Sequence, residues 1–139
     1  MKQSYKLILI LSIVLTITVG TTVAINIITL NEKKPEEVTS TVSIYFGNGI
    51  LWTYKNITTT NATVFGLLME AASKGNFTVK STYYSQYNSM LIDSIASVKN
   101  GENNSYWQYY INGNYGTVGA DKQPVKNGDI IEWKFEEFG

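Results

Sequence analysis

Near its start the chain carries a long uncharged, mainly apolar stretch, Leu7 to Leu30, then passes into short alternating runs interrupted by one helical stripe. Thr41 to Phe46 alternates, with Val42, Ile44 and Phe46 on one side, and after Gly47-Asn48-Gly49 the alternation resumes through Ile50, Trp52 and Tyr54. Period-two patterning on both sides of a glycine-rich turn predicts a β-hairpin. Val64, Leu67, Leu68, Ala71 and Ala72 then follow helical spacing. They form one apolar stripe of a helix that starts after Asn61-Ala62-Thr63, whose side chains suit an N-cap, and that ends near Lys74, with Gly75 placed to cap it. Gly66 sits inside this helix, where glycine costs about 1 kcal/mol relative to alanine, so a close approach of helix to sheet is expected there.

Strand character returns from Phe77 to Tyr84, followed by a tyrosine cluster (Tyr83, Tyr84, Tyr87) in polar sequence and a short apolar run from Met90 to Ile95. Asn100 to Asn104 reads as a loop. In the next strand Trp107, Tyr109 and Ile111 take one face and Tyr106, Gln108 and Tyr110 the other, and Asn112-Gly113 predicts a tight turn. Asn127-Gly128-Asp129 turns the chain again into a last strand with Ile131, Trp133 and Phe135 on its inner face. Hairpin, helix and further strands, in that order, predict an α+β domain with one helix packed across a mixed sheet.

The first stretch predicts a different environment. Its 24 uncharged residues would form about 36 Å of helix, more than the roughly 30 Å hydrocarbon core of a bilayer. Residues 1–6 are then expected to be a cytoplasmic tail and 7–30 a transmembrane signal anchor, or a signal peptide cut near Thr22-Val23-Ala24. In either case the globular part is expected outside the cytoplasm. Residues 31–41, polar and carrying Pro35, read as a tether, and 42–138 as the domain.

Composition narrows the chemistry. Lys plus Arg is 11, all of it lysine, against 11 Asp plus Glu, and without residues 1–30 the balance is 9 basic to 11 acidic. A slightly acidic chain without arginine does not offer the surface that nucleic-acid phosphates favour. Neither histidine nor cysteine occurs, which removes imidazole and thiolate metal sites and the usual nucleophile–base pairs. No enzyme activity, cofactor or metal site is expected. Asp93, Glu102, Asp121, Asp129 and Glu132 could in principle supply a carboxylate pair or a weak calcium site, but their spacing matches no such loop. Four N-x-S/T triplets, at Asn56, Asn61, Asn76 and Asn103, are candidates for N-glycosylation.

Four blocks carry a resemblance: Thr63-Val64-Phe65-Gly66-Leu67-Leu68 with Ala71-Ala72; Tyr106 to Gly113; Gly119-Ala120; and Asn127 to Trp133. Together they resemble the bacterial and archaeal surface domains of unknown function that look like the C-terminal domain of transcobalamin and intrinsic factor, over about residues 42 to 136. The resemblance implies a β-grasp-like fold related to soluble-ligand-binding domains. In the vitamin carriers this domain closes over one face of cobalamin while a helical barrel holds the other. The expected role is thus a binding module for a small molecule, corrinoid-like by resemblance, or for a surface protein. The candidate ligand-binding residues are Tyr106, Tyr110, Tyr115 and Gly119, with the loop Gly116 to Gln123 beside them, since tyrosine offers apolar area with a polar tip at low entropic cost. A structural or adhesive module is the alternative, pairing with a neighbour through an edge strand, either Val42 to Phe46 or the last strand.

Overall fold

The computed structural model describes residues 36–138. The tail and membrane segment expected for 1–30 lie outside them. Among the described residues eight strands and one α-helix follow in order: β1 (Val38–Tyr45), β2 (Leu51–Thr59), α1 (Val64–Gly75), β3 (Val79–Tyr84), β4 (Ser89–Ile95), β5 (Val98–Lys99), β6 (Ser105–Ile111), β7 (Asn114–Tyr115) and β8 (Ile130–Glu137). Five strands form one sheet in the order β2-β1-β8-β6-β7, and β3, β4 and β5 form a second. β1 runs parallel to β8, while β1–β2 and β6–β8 are antiparallel. The sheet is therefore mixed, with one helix packed on it, as the α+β reading anticipated.

The inner face is the one the alternation marked. Val42, Ile44, Ile131, Trp133, Trp107 and Phe135 meet the stripe Val64, Leu67, Leu68 and Ala71 of α1 in one core. Aromatic rings knit its open end: Phe46 lies edge-on to Trp52 and Trp107 at 4.7 and 5.5 Å, an arrangement ring quadrupoles favour.

Four local expectations are corrected. β1 starts at Val38, within the stretch assigned to the tether, because Val38, Thr39 and Ser40 pair with Thr59, Thr58 and Ile57 of β2, and Thr39 is held on its other side by Asn127 Oδ1, which accepts from its N–H, and by Gly128 N, which donates to its carbonyl. Gly75 does not cap α1; Asn76 takes the left-handed conformation (φ 52°) and its N–H reaches the carbonyls of Ala72 and Ser73. Gly75 is required instead by Tyr54, whose hydroxyl would lie 2.5 Å from an added Cβ. Gly66 does face a close neighbour, but that neighbour is the loop carbonyl of Asn61 rather than the sheet. Finally, β1 and β8 are both interior strands, each paired on two sides, so neither is available as an edge; that position belongs to β2 and the short β7.

The N-cap was legible. Thr63 is extended and its Oγ1 accepts from Gly66 N at 3.0 Å. Two further N–H groups of the first turn, Val64 and Phe65, donate to the carbonyls of Gln123 and Ala120, so the helix start holds the loop that follows β7.

Candidate functional site: an apolar groove beside a pinned loop

Between that loop and the second sheet runs an open groove of about 790 Å³, lined chiefly by Tyr84, Tyr87, Met90, Leu91, Val118 and Lys122. Its walls expose apolar surface that folding would ordinarily cover: Tyr87 is 72% exposed, Val118 48% and Leu91 47%. A contiguous apolar patch in a concave site is the usual mark of a binding surface.

The groove is held open by a fixed frame. Asp121 Oδ1 accepts from Ser89 Oγ (2.8 Å) and Met90 N (2.9 Å), fastening the loop to β4, and Lys122 pairs with its other oxygen at 3.2 Å. The Tyr109 hydroxyl donates to the Val118 carbonyl at 2.5 Å. With the two carbonyls that receive the helix N–H groups, residues 118 to 123 are tied to β4, β6 and α1 at once. Gly119 lies where this frame is tightest, since an added Cβ would fall 1.5 Å from Ser89 Oγ. A loop already ordered in this way loses little entropy when a ligand arrives.

Burial by itself would raise the Asp121 pKa; the Met90 N–H, the Ser89 hydroxyl and Lys122 outweigh it, and the group sits below its ordinary 3.8. A lowered folded-state pKa means that the stabilisation is complete above the unfolded value and is lost as pH falls through the folded one. The urea midpoint is therefore expected to drop below about pH 4. Asp121→Ala should cost about 2 kcal/mol at neutral pH, the scale of hydrogen bonds to a charged group, and should flatten that acid limb; an unchanged acid limb would show that Asp121 does not carry it.

Of the residues expected to bind, Gly119 lines the groove and Tyr115 lines a smaller cavity behind it. Tyr106 and Tyr110 stand on the other face of β6, where the Tyr110 ring meets that of its cross-strand partner Tyr115 edge-on at 5.5 Å. Tyr106 is half-buried with its ring 4.9 Å from that of Phe138. The Tyr110 hydroxyl donates to Glu136 Oε1 at 2.5 Å, and Lys134 Nζ stands 4.3 Å from its ring centre. Gln108, on the same face, is buried because its amide reaches the carbonyls of Glu136 and Glu137. The Glu136 hydrogen bond, then burial and nearby negative charge, push the Tyr110 phenol from 10.0 to about 12. The stabilisation from this raised pKa is present below 10 and lost as pH rises through the folded value. Tyrosinate absorbance should show a group that ionises only near pH 12, and Glu136→Gln should bring it back toward 10; the absence of such a group would refute the assignment.

Tyr84, Tyr87, Met90, Leu91 and Val118 were not among the expected site residues. The tyrosine cluster in polar sequence was the available signal, but only the tertiary placement of the loop opposite β4 makes a groove of it. Among the sequon residues, Asn56, Asn76 and Asn103 are exposed in left-handed conformation, while the Asn61 side chain accepts from the Thr63 hydroxyl. Among the described residues no three Asp, Glu, His or Cys side chains converge.

Residues 62–137 match the family model described as a domain of unknown function, DUF4430. Among solved structures, haptocorrin in complex with Cbi superposes with a TM-score of 0.65 at 17% identity, over 78% of this chain and 27% of that one. A protein from Ruminococcus gnavus ATCC 29149, designated a candidate metal-binding protein, superposes with a TM-score of 0.53 at 19% identity, over 73% of this chain and 99% of its own. The resemblance to the transcobalamin family read from the motifs thus extends to the fold. The chain spans only about a quarter of haptocorrin. No curated protein matches the sequence.

Proposed function

The chain belongs to the DUF4430 family of domains of unknown function, and from that premise we propose that it is a membrane-tethered extracytoplasmic binding module that holds a small-molecule ligand by an apolar face in the groove between β4 and the loop Thr117 to Lys122. The observation that carries this reading is the groove itself: about 790 Å³ of apolar space beside a loop tied at three points. That size lies within the roughly 300–1,000 Å³ range of small-molecule sites. The tether rests on Leu7 to Leu30, whose length and lack of charge suit a bilayer. Parallel pairing of β1 with β8 and the helix across the sheet support a β-grasp-like classification.

A corrinoid is the first ligand to try, because haptocorrin was solved with Cbi. A metal is the less suitable choice for a chain without histidine or cysteine, the imidazole and thiolate donors of most protein metal sites. We read the module as non-catalytic, since the chain has no histidine or cysteine and the groove walls present mainly apolar groups. Calorimetric titration of the full chain with cobinamide tests the reading. Leu91→Lys places a charge on the apolar wall and should weaken binding at least about tenfold, a loss of about 1.4 kcal/mol. Unaltered affinity in that variant would remove the groove from consideration.

One observation favours an assembly role as the second reading. β2 is an edge strand, and Ile50 and Leu51 at its start are half exposed; unpaired edges of this kind recruit other strands. Concentration-dependent dimers in size-exclusion chromatography, abolished by Leu51→Lys, would support it over a monomeric binder.

A further inference from the structure

Asn-Gly pairs occur in the chain at Asn48, Asn100, Asn112 and Asn127. Asparagine is chemically labile, and most so before glycine, whose nitrogen has no neighbouring Cβ to hinder its attack on the side-chain carbonyl carbon. The fold treats these pairs differently.

At three of them the reacting groups are tied to other segments. The Asn100 carboxamide donates to Ile92 O at 2.7 Å and accepts from Trp107 N at 2.8 Å, while Gly101 N–H, the nucleophile of that pair, donates to Ser105 O at 2.9 Å. Asn112 donates to Asp129 Oδ1 and accepts from Ile130 N, both at 2.9 Å. Asn127 Oδ1 accepts from Thr39 N at 2.8 Å, and Gly128 N–H donates to Thr39 O at 2.9 Å. Attack within any of these pairs must first break hydrogen bonds that hold the fold together.

Asn48-Gly49 lies in the turn between β1 and β2, which Phe46 N closes by donating to Ile50 O at 3.0 Å. Both residues are exposed, and a Cβ added at Gly49 would meet nothing within 4 Å. Among the described residues neither Gly49 N–H nor Asn48 Nδ2 has a hydrogen-bond partner. The carboxamide makes a local bond instead: Oδ1 accepts from Ile50 N at 3.1 Å. That bond closes a ring containing the Gly49 nitrogen, so the side chain is already folded over its own backbone. The Ile50 N–H also stands where negative charge grows on Oδ1 during attack, the placement that stabilises such an oxyanion.

We propose that Asn48 is a self-modification site, at which the turn converts to aspartate and isoaspartate while the fold protects the other three pairs. The Gly49 nitrogen bonds to Asn48 Cγ and gives up its proton; the Cγ–Nδ2 bond breaks, and Nδ2 leaves as ammonia with that proton. Water then opens the resulting cyclic imide at either of its C–N bonds. The product adds a negative charge at the rim of a cavity of about 440 Å³ where Glu102, Glu136 and Glu137 already stand. The isoaspartyl form also lengthens the backbone by a methylene inside the turn that sets Phe46 against Trp52.

The site is independent of the groove. To test it, the full chain, held in detergent micelles, is incubated at mildly alkaline pH, digested at intervals and mapped by mass spectrometry, with isoaspartyl peptides separated by chromatography. Asn48 should convert at least about tenfold faster than Asn100, Asn112 or Asn127, a barrier difference of about 1.4 kcal/mol. In unfolding concentrations of urea the four rates should draw together. Asn48→Gln should remove the fast phase of ammonia release from the folded chain and leave the slow conversions in place. A folded chain in which another pair converts first, or whose four rates match those in urea, would overturn the proposal.

Discussion

Replacing Gly66 with alanine should destabilise the protein by about 2–3 kcal/mol, although alanine in a helix is intrinsically better by about 1 kcal/mol. The reversal comes from one contact. An alanine Cβ at this position would lie 2.1 Å from the Asn61 carbonyl oxygen and 2.9 Å from the Asn61 Cβ and Cγ. That carbonyl cannot simply retreat, because Asn61 is bound by Thr63 N to its oxygen (2.6 Å) and by its own N to Thr59 Oγ1 (3.0 Å). Displacing it would pull Thr63 from its capping position, and a lost N-cap costs about 1 kcal/mol by itself. Urea unfolding should show a lower midpoint with an unchanged slope. A midpoint at or above that of the wild type would show that the loop yields and that helix propensity governs the site.

Trp133→Ala should cost about 3–5 kcal/mol, the range for emptying the site of a buried aromatic side chain. Trp133 stands on β8 between Ile44 of β1 and Tyr109 of β6, in register with both, and its ring centre is 5.5 Å from that of Tyr109. Tyr109 in turn holds Val118 through its hydroxyl, so the loss should reach the groove as well as the core. Trp133→Phe provides the contrast. It keeps an aromatic body and breaks no hydrogen bond, since Nε1 makes none, so about 1–2 kcal/mol is expected. Thermal unfolding of the pair measures the difference; an alanine variant within about 1 kcal/mol of the wild type would place Trp133 outside the energetic core.

Much of the fold was legible because burial on a sheet or helix imposes a period. Val42, Ile44, Ile131, Trp133 and the stripe from Val64 to Ala72 were assigned to the core by spacing alone, and all are buried. Thr63 was readable as a cap, and Asn112-Gly113 as a turn, from local chemistry; φ is positive at both turn residues. The errors fell where a distant partner decides. Gly66 and Gly75 were recognised as special, but what each must accommodate was not: for Gly75 it is Tyr54 of β2, a separate segment, and for Gly66 it is Asn61, which the capping loop folds back onto the helix.

The candidate site follows the same division. Alternation placed Tyr106 and Tyr110 outward, yet outward on a sheet does not mean free: Glu136, Lys134 and Phe138 occupy them. The groove is built from segments some thirty residues apart, Tyr84 to Leu91 and Thr117 to Lys122, joined through Asp121. By itself the sequence determined the mixed α+β plan and the inner faces, because each is written in a local period that solvent exclusion enforces. Only the tertiary structure decided that β1 and β8 are interior and that Asp121 fastens a loop to β4, because hydrogen bonds between distant segments leave no periodic trace in the chain.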